Sequence, residues 1–403
     1  MPTENGLFKQ VSYKVETGYG TKPAAAAAQA LRRVTSTLDL RKDTYQSNEV
    51  RPDLQLQDFR HGVRRVNGAI NGELSAKTYA DFIAAALKRD FAAVTPITGA
   101  SLTIAGTGPT YTVTRAAGSF LTDGVKIGDV IRLAAAGMNA NNSAKNLMVV
   151  ALTATVATVM VLNASGMTAE GPIASSSVTV AGKKTFVPQT GHTDKSFSIE
   201  HFFPANGQSE VFTGCKPTNI AIELPPTGLA TINTSFTGKD LETASAQYFT
   251  NPTALTATGA LAAVNGVARM NGSTIVSLTG LSLQIASPQT GDPTVGSNTI
   301  AQQFPGRVVV TGQFTAYFDS VALRDAFINE SEIDLYAVFT ADNTAAADFV
   351  AIGLPRIKLG TADKSDGETG IVQTFQFQAL LNSAGGAGTA TEKTTIQIQD
   401  SQA

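Results

Sequence analysis

"VRRVNGAINGELSAKTYADFI" occupies residues 63–83, and "RVVVTGQFTAYFDSVALRDAF" occupies residues 307–327. The two align without a gap: Val66 falls on Val310, Gly68 on Gly312, Ile70 on Phe314, Leu74 on Phe318 and Asp81 on Asp325. Each opens with apolar residues at every second position, the period of a strand with one buried face. Each then changes to the three- and four-residue spacing of a helix. The clearest helix spans 76–90, where Tyr79, Phe82, Ile83, Ala86 and Leu87 share one face and Ser75 stands as the N-cap. A helix packed on a sheet accounts for this stretch without any site.

The similarity extends outward. "STLDLR" (36–41) precedes the first copy and "TGLSLQ" (279–284) precedes the second, at nearly constant spacing. A long loop follows in each, "KDTYQSNEVRPDLQLQDFRHG" in the first and "ASPQTGDPTVGSNTIAQQFPG" in the second. Downstream, "FTGCKPTNIAIEL" (212–224) loosely matches "FVAIGLPRIKL" (349–359), and "ATINTSFTG" (230–238) matches "IVQTFQFQA" (371–379). The order strand, long loop, strand, helix, strands thus occurs twice, which reads as internal duplication of a β-rich unit. The alternative is chance likeness among alternating strands. Residues 95–190 have no counterpart in the second copy. Their "FLTDGVKIGDVIRLAAA" and "LMVVALTATVATVMVL" segments predict a small barrel of short strands, inserted on the surface of its host with its ends close together. The expected domains are a first unit over 1–94 and 191–250, an external insertion over 95–190, and a second unit with a C-terminal arm over 251–403. The tail "GGAGTATEKTTIQIQDSQA" reads as a hinge and a last strand that docks on a neighbour or stays disordered until assembly.

Composition narrows the function. Only 15% of the 403 residues are charged against 43% hydrophobic, the balance of a chain that hides surface against other chains. A net charge of −2 gives no nucleic-acid-binding patch. The single cysteine, Cys215, excludes an intrachain disulfide and fits a cytoplasmic origin. The opening "MPTENGLFKQ" lacks the apolar core of a secretory signal, and the apolar run 147–162 is too short to span a bilayer.

Catalytic constellations are poor. His61, His192 and His201 stand in no metal-ligand spacing, and His201 alternates with Phe202 as a satisfied strand residue would. Cys215 has no base nearby in sequence and reads as a small packing residue. "GTGPTY" (106–111) lacks the third glycine of a dinucleotide loop. Asp363, Asp366 and Glu368 around Gly367 suggest calcium, but their spacing is that of a solvated turn. The first long loop differs: Arg41, Lys42, Arg51, Arg60, Arg64 and Arg65 interleave with Asp39, Asp43, Glu49, Asp53 and Asp58. Mixed charge of this kind suits a protein partner, with Tyr45 and Phe59 as anchors, and a merely soluble loop is the alternative.

"YGTKPA" and the run from "LRRVTSTLDLRKDTYQSNEVRPD" through "GELS" resemble the tail tube proteins (major tail proteins) of long-tailed bacteriophages. The likeness is strongest over 8–91 and resumes over 195–245 with "FSIEHFF" and "TSFTGKDLE". It implies a mainly β fold of β-sandwich or barrel units, each with a flanking α-helix, forming rings that stack into a hollow tube for DNA. It implies no catalysis and no cofactor, and a place in the virion tail after assembly in the host cytoplasm. In such families the loop after the first strand bridges rings, which makes Lys42, Asp43, Tyr45, Glu49, Arg51, Asp53 and Phe59 inter-ring contact candidates. Neighbouring sheets join edge to edge and line the bore.

Two units per chain then imply trimeric, pseudo-hexameric rings; hexameric rings with the second half as decoration are the rival. The implied partners are further copies of the chain, a tape measure protein, tail terminator and tail-tip proteins, and DNA passing without sequence-specific binding. Glu73 and Asp319 are lumen-facing candidates, or else charges placed at helix N-termini. The insertion would protrude from the ring and is a candidate for weak contact with host-surface glycans. The competing function is a surface adhesin or carbohydrate-binding β-protein, which the absence of tryptophan and of an export signal disfavours.

Overall fold

The computed structural model describes residues 3–163, 165–275, 278–365 and 370–403. Strands dominate, as the period-two pattern predicts. The run 147–162 becomes two antiparallel strands, Leu147–Leu152 and Val156–Val161.

Two ladders of six strands share one order. In the first, Asp39–Gln46 pairs with Phe59–Glu73, then follow Thr231–Gly238, Gln208–Leu224, Phe197–Phe203 and Gln10–Val15. In the second, Leu278–Ala286 pairs with Val309–Tyr317, then follow Val372–Ala379, Phe349–Leu359, Ile333–Thr340 and Gly266–Met270. The registers correspond as well. Phe236 lies opposite Gly68, as Phe377 lies opposite Gly312. A bulge separates the pairs Phe197↔Cys215 and Ile199↔Phe212, and another separates Ile333↔Ile357 and Leu335↔Leu354.

Two matches made on sequence shift in register. Leu40 is the partner of Val66 and Ile285 that of Val310, so the first strands correspond two residues away from the "STLDLR"/"TGLSLQ" match. Cys215 takes the place of Ile357, so 212–224 and 349–359 do not match end to end.

The strand Gln208–Leu224 is long enough to serve two sheets. Its first half pairs with Phe197–Phe203 and Asp240–Ala244, and its second half with Thr231–Gly238 and Leu278–Ala286. That last pairing fuses the two ladders. It buries Ile220, Ile222 and Leu224 beside Ile285, Leu283 and Leu281 in one continuous core. Each such side chain contributes about 1.5–3 kcal/mol.

The first helix, α1, is Ala80–Leu87, shorter than predicted. Ser75 is not its cap: the Ser75 hydroxyl bonds the Thr78 hydroxyl at 2.7 Å, Lys77 is left-handed at φ 71°, and Tyr79 precedes the helix. Lys88, left-handed at φ 60°, ends it. Every residue of α1 except Asp81 is buried, with Phe82 edge-on to Phe197 and Phe236. The second helix, α2 (Ala322–Ile328), has no buried residue, although Leu323 and Ala326 rest on the core.

Six strands between Ile97 and Val180 close into a barrel with its own apolar core. The sequence places this barrel inside the first copy, yet it rests on the second. Val130, Met148, Met160 and Ala181 pack against Tyr336, Val338, Phe349 and Ala351. The C-terminus is likewise not free: Gln397–Asp400 is a strand held between Phe349–Leu359 and Lys183–Phe186 of the same chain.

Candidate assembly surfaces

The hairpin Asp39–Gln46/Phe59–Glu73 outgrows the sheet. Its pairing continues past Arg41↔Arg65 to Gln46↔Phe59. The equivalent hairpin breaks after Ala286↔Val309, resumes only at Gln289↔Pro305 and Thr290↔Phe304, and then folds back so that Arg64 N donates to Asn298 O at 2.9 Å. The contact candidates sit on this extension. Tyr45 and Phe59 are exposed, and so are Lys42, Glu49 and Asp53. Many of the charges are satisfied within the hairpin: Arg51 pairs with Asp53 at 2.8 Å, Arg60 with Asp58 at 2.7 Å and Arg65 with Asp43 at 2.7 Å. The Arg51 guanidinium holds the Asp53 carboxyl below its ordinary range. Exposed pairs of this kind add little stability, but they keep a polar hairpin in shape.

The sequence reading missed the most exposed groups of the tip. Val50, Leu54 and Leu56 are exposed by 100%, 95% and 58%, more than either aromatic anchor. The signal was present in "SNEVRPDLQLQ": three aliphatics in a run whose other members are polar or proline, with no strand partner to cover them.

The solvent face of the fused sheet has an unusual chemistry. Asn67, Asn71, Asn233, Ser235, Gln284, Thr311, Gln313, Thr315, Gln376 and Gln378 alternate with the core residues along five strands. Ser282, Gln284, Thr311, Gln313, Gln376 and Gln378 edge a shallow hollow of about 630 Å³ on it. Neutral amides and hydroxyls thus dominate this surface, with Glu223 opposite Ser282 and Lys358 opposite Gln378 as charges among them. Glu73 ends its strand on this face, opposite Thr231, and is exposed. Asp319 lies in the turn between Tyr317 and Ala322 and is exposed. Neither is the acid of a helix first turn, a place taken by Asp81 in α1 and Asp325 in α2.

Cys215 and His201 point inward, whereas His61 and His192 are exposed. Cys215 is buried, and desolvation together with the nearby Glu16 carboxylate raises its thiol well above the ordinary range. His201 is buried with Nε2 2.7 Å from the Ser36 hydroxyl and its ring edge-on to Phe212. Burial, aided by the charges of Lys9 and Arg33, pushes its pKa down to about 3. A depressed histidine favours folding above its unfolded pKa and loses that contribution as pH falls toward the folded value. Acid unfolding between pH 6 and 3 should therefore withdraw up to about 4 kcal/mol through this residue. The variant His201→Gln, followed by denaturant midpoints against pH, should show a flatter acid limb; limbs of equal slope would contradict this. Among the described residues no group of three or more His, Cys, Asp or Glu could hold a metal. Asp363 pairs with Thr374 in a short strand, while Asp366, Gly367 and Glu368 lie outside the described residues.

The structure thus offers a fused β sheet with a mostly neutral polar face and a projecting apolar-tipped hairpin, and among the described residues it gathers no metal-ligating cluster. The profile of the phage tail tube protein family matches residues 9–379. The chain belongs to the phage tail tube protein family. No curated protein matches it. This tail tube protein is a structural component of the virion tail, and the family match spans both ladders and the barrel between them. Self-assembly into a tube is the property that family membership attaches to this chain.

Proposed function

We propose that this tail tube protein carries two tube units, residues 1–94 with 191–250 and residues 251–403, and that three copies close a pseudo-hexameric ring. The observation that carries this reading is the repeated ladder: six strands in one order, with a bulge at the same pair of positions, twice in one chain. Two units that already share a sheet through Gln208–Leu224 and Leu278–Ala286 need only repeat that junction between chains to close a ring. The barrel, residues 95–190, then stands outside the ring once per chain.

Rings stack through the long hairpin. Val50, Leu54 and Leu56, with Tyr45 and Phe59, supply apolar contact area, and Lys42, Asp43, Glu49, Arg51 and Asp53 surround them. The mostly neutral polar face lines the bore, with Glu73 and Asp319 toward its rim. Such a wall offers phosphate no ordered row of cations and offers bases no specific readout, so DNA passes without being held. A tape measure protein fits the same bore during assembly, and terminator and tip proteins close its ends.

Electron microscopy of the purified protein, with rotational averaging of end-on rings or tubes, tests this. Three outer protrusions around a six-lobed bore are expected. Six protrusions would keep the tube and overturn the trimer, and monomers that persist beside tail-tip complexes would overturn both.

A further inference from the structure

The chain has two complementary strand edges with no partner among the described residues. One is the outer side of the strand around Asp39. Thr37 N donates to Ala69 O at 2.9 Å, so by alternation the backbone groups of Leu38 and Leu40 face away from the sheet. The Leu40 N–H is met only locally, by the Asp39 carboxylate at 2.8 Å. The other edge is the outer side of Thr361–Lys364. Gly360 N donates to Gln376 O at 2.7 Å and Ser365 N to Val372 O at 2.9 Å, which turns the backbone groups of Ala362 and Lys364 outward.

These edges occupy equivalent places to the two strands that already meet inside the chain. Asp39 lies opposite Asn67 as Gln284 lies opposite Thr311, and Asn67 matches Thr311 in the ungapped alignment. Asp363 lies opposite Thr374 as Ala221 lies opposite Asn233, and Thr374 pairs with Thr315 as Asn233 pairs with Asn71. At the internal junction Ala221 faces Gln284, and Ser287 N donates to Thr218 O at 2.8 Å. We infer that a second copy of this chain pairs its Leu38–Arg41 edge antiparallel with Thr361–Lys364, with Asp39 opposite Asp363 and Leu40 opposite Ala362. The parity of outward backbone groups agrees on both edges: Leu40 and Ala362 exchange hydrogen bonds as Ile285 and Ile220 do. Leu40 and Ala362 already rest, half-buried, against the two ends of the core, so the joint extends that core across the boundary. Asp39 and Asp363 would meet on the solvent face, with Arg41 diagonal to Asp363.

This rests on the ring reading and adds its register, which the test separates from it. Asp39→Cys combined with Asp363→Cys places thiols at a non-hydrogen-bonded pair about 4.5 Å apart at Cα, within disulfide reach. Both wild-type side chains are exposed, and Cys215 is buried away from oxidant. Oxidised assemblies should give covalent dimers and closed trimers on denaturing gels. Asp39→Cys with Thr361→Cys, two residues out of register, should give at least tenfold less. Ala362→Pro removes only an outward N–H and should leave the monomer's melting temperature unchanged while lowering assembly at least tenfold. Rings by microscopy with no disulfide between positions 39 and 363, or with the out-of-register link preferred, would overturn the register and leave the ring standing. Ala362→Pro protein that assembles as wild type would also overturn it. Protein that stays monomeric without cross-links overturns ring and register together.

Discussion

Alanine at Gly68 should loosen Asp39–Gln46 from its partner strand, and alanine at Gly312 should do the same to Leu278–Ala286. These two glycines face each other in the ungapped alignment, and the structure gives both the same task. A Cβ on Gly68 would meet the Thr37 carbonyl oxygen and come within 2.6 Å of Leu38 Cα; one on Gly312 would come within 2.6 Å of the Ser282 carbonyl oxygen. Thr37 and Ser282 are equivalent ladder positions, so in both copies the first strand lies so close that only hydrogen fits. The atoms in the way at Gly68 are all backbone, which cannot swing aside as a side-chain tip would; at Gly312 the buried Phe377 ring joins the Ser282 oxygen. Overpacking of this kind costs about 1–3 kcal/mol. Gly68 adds strain, because its φ of 152° is one that side chains rarely adopt. Both variants should therefore unfold at lower urea, Gly68→Ala lowest. The assembly readout should differ more. Leu278–Ala286 is held on both sides within the chain, whereas Asp39–Gln46 has one neighbour and offers its other side to a second copy. Gly312→Ala should still form tubes at permissive temperature and Gly68→Ala should not. Wild-type urea midpoints for both would show that the ladder tolerates a methyl group there.

Much of this was legible because strands with one buried face write their period into the sequence. Val66, Ile70, Val310 and Phe314 were matched by pattern alone, and all four are fully buried. The match of 230–238 with 371–379 has the register of the ladders, since Phe236 and Phe377 lie opposite equivalent glycines. The match of 36–41 with 279–284 is two residues out. A slip of two leaves every side chain on its own face, so periodicity cannot detect it. The match ending at Leu224 and Leu359 failed for a different reason. Pro217 and Leu359 hold equivalent places, opposite Phe236 and Phe377, so Phe349–Leu359 stops where Gln208–Leu224 runs on. Ser75 looked like an N-cap because serine before an apolar run usually is one; here an extra turn through Lys77 intervenes.

The assembly surfaces were legible in outline only. Length, charge and two aromatics mark out the first long loop, whereas Val50, Leu54 and Leu56, which no strand covers, follow no period of an element. The open edges could not be read at all, because an unpaired strand has the same sequence pattern as a paired one until its neighbours are known. Nor could the seat of the barrel be read. Chain order places it within the first copy, and only tertiary contacts bring Asn146 and Asn163 to the second.

Deletion of residues 97–180 should give an insoluble or early-melting protein, not a smooth-walled tube subunit. The barrel is fastened to the second ladder by groups that have no use without it. Tyr336, Val338, Phe349 and Ala351 are buried under Val130, Met148, Met160 and Ala181. The Gln399 side chain donates to Val130 O at 2.9 Å and Ala181 O at 2.6 Å and accepts from Val130 N at 2.8 Å. Asn146 and Asn163 bond to the Thr340–Ala347 turn. Lys184, buried just beyond the cut, would lose Asp129 at 3.1 Å and keep only Glu392 at 3.8 Å. Each large apolar side chain returned to water removes about 1.5–3 kcal/mol, so three of them with a half-paired lysine cost about 5 kcal/mol or more. That is most of the stability of an ordinary domain. The same deletion carrying Val338→Thr, Phe349→Thr and Lys184→Gln should recover solubility in part, because it removes the exposed patch and the stranded charge. Sedimentation and thermal melts of the two deletions decide the matter. A simple deletion that melts with the intact chain and assembles would make the barrel a detachable ornament. The expected result makes it a rigid bracket on the second ladder, so that every chain in a tube presents it at one fixed angle.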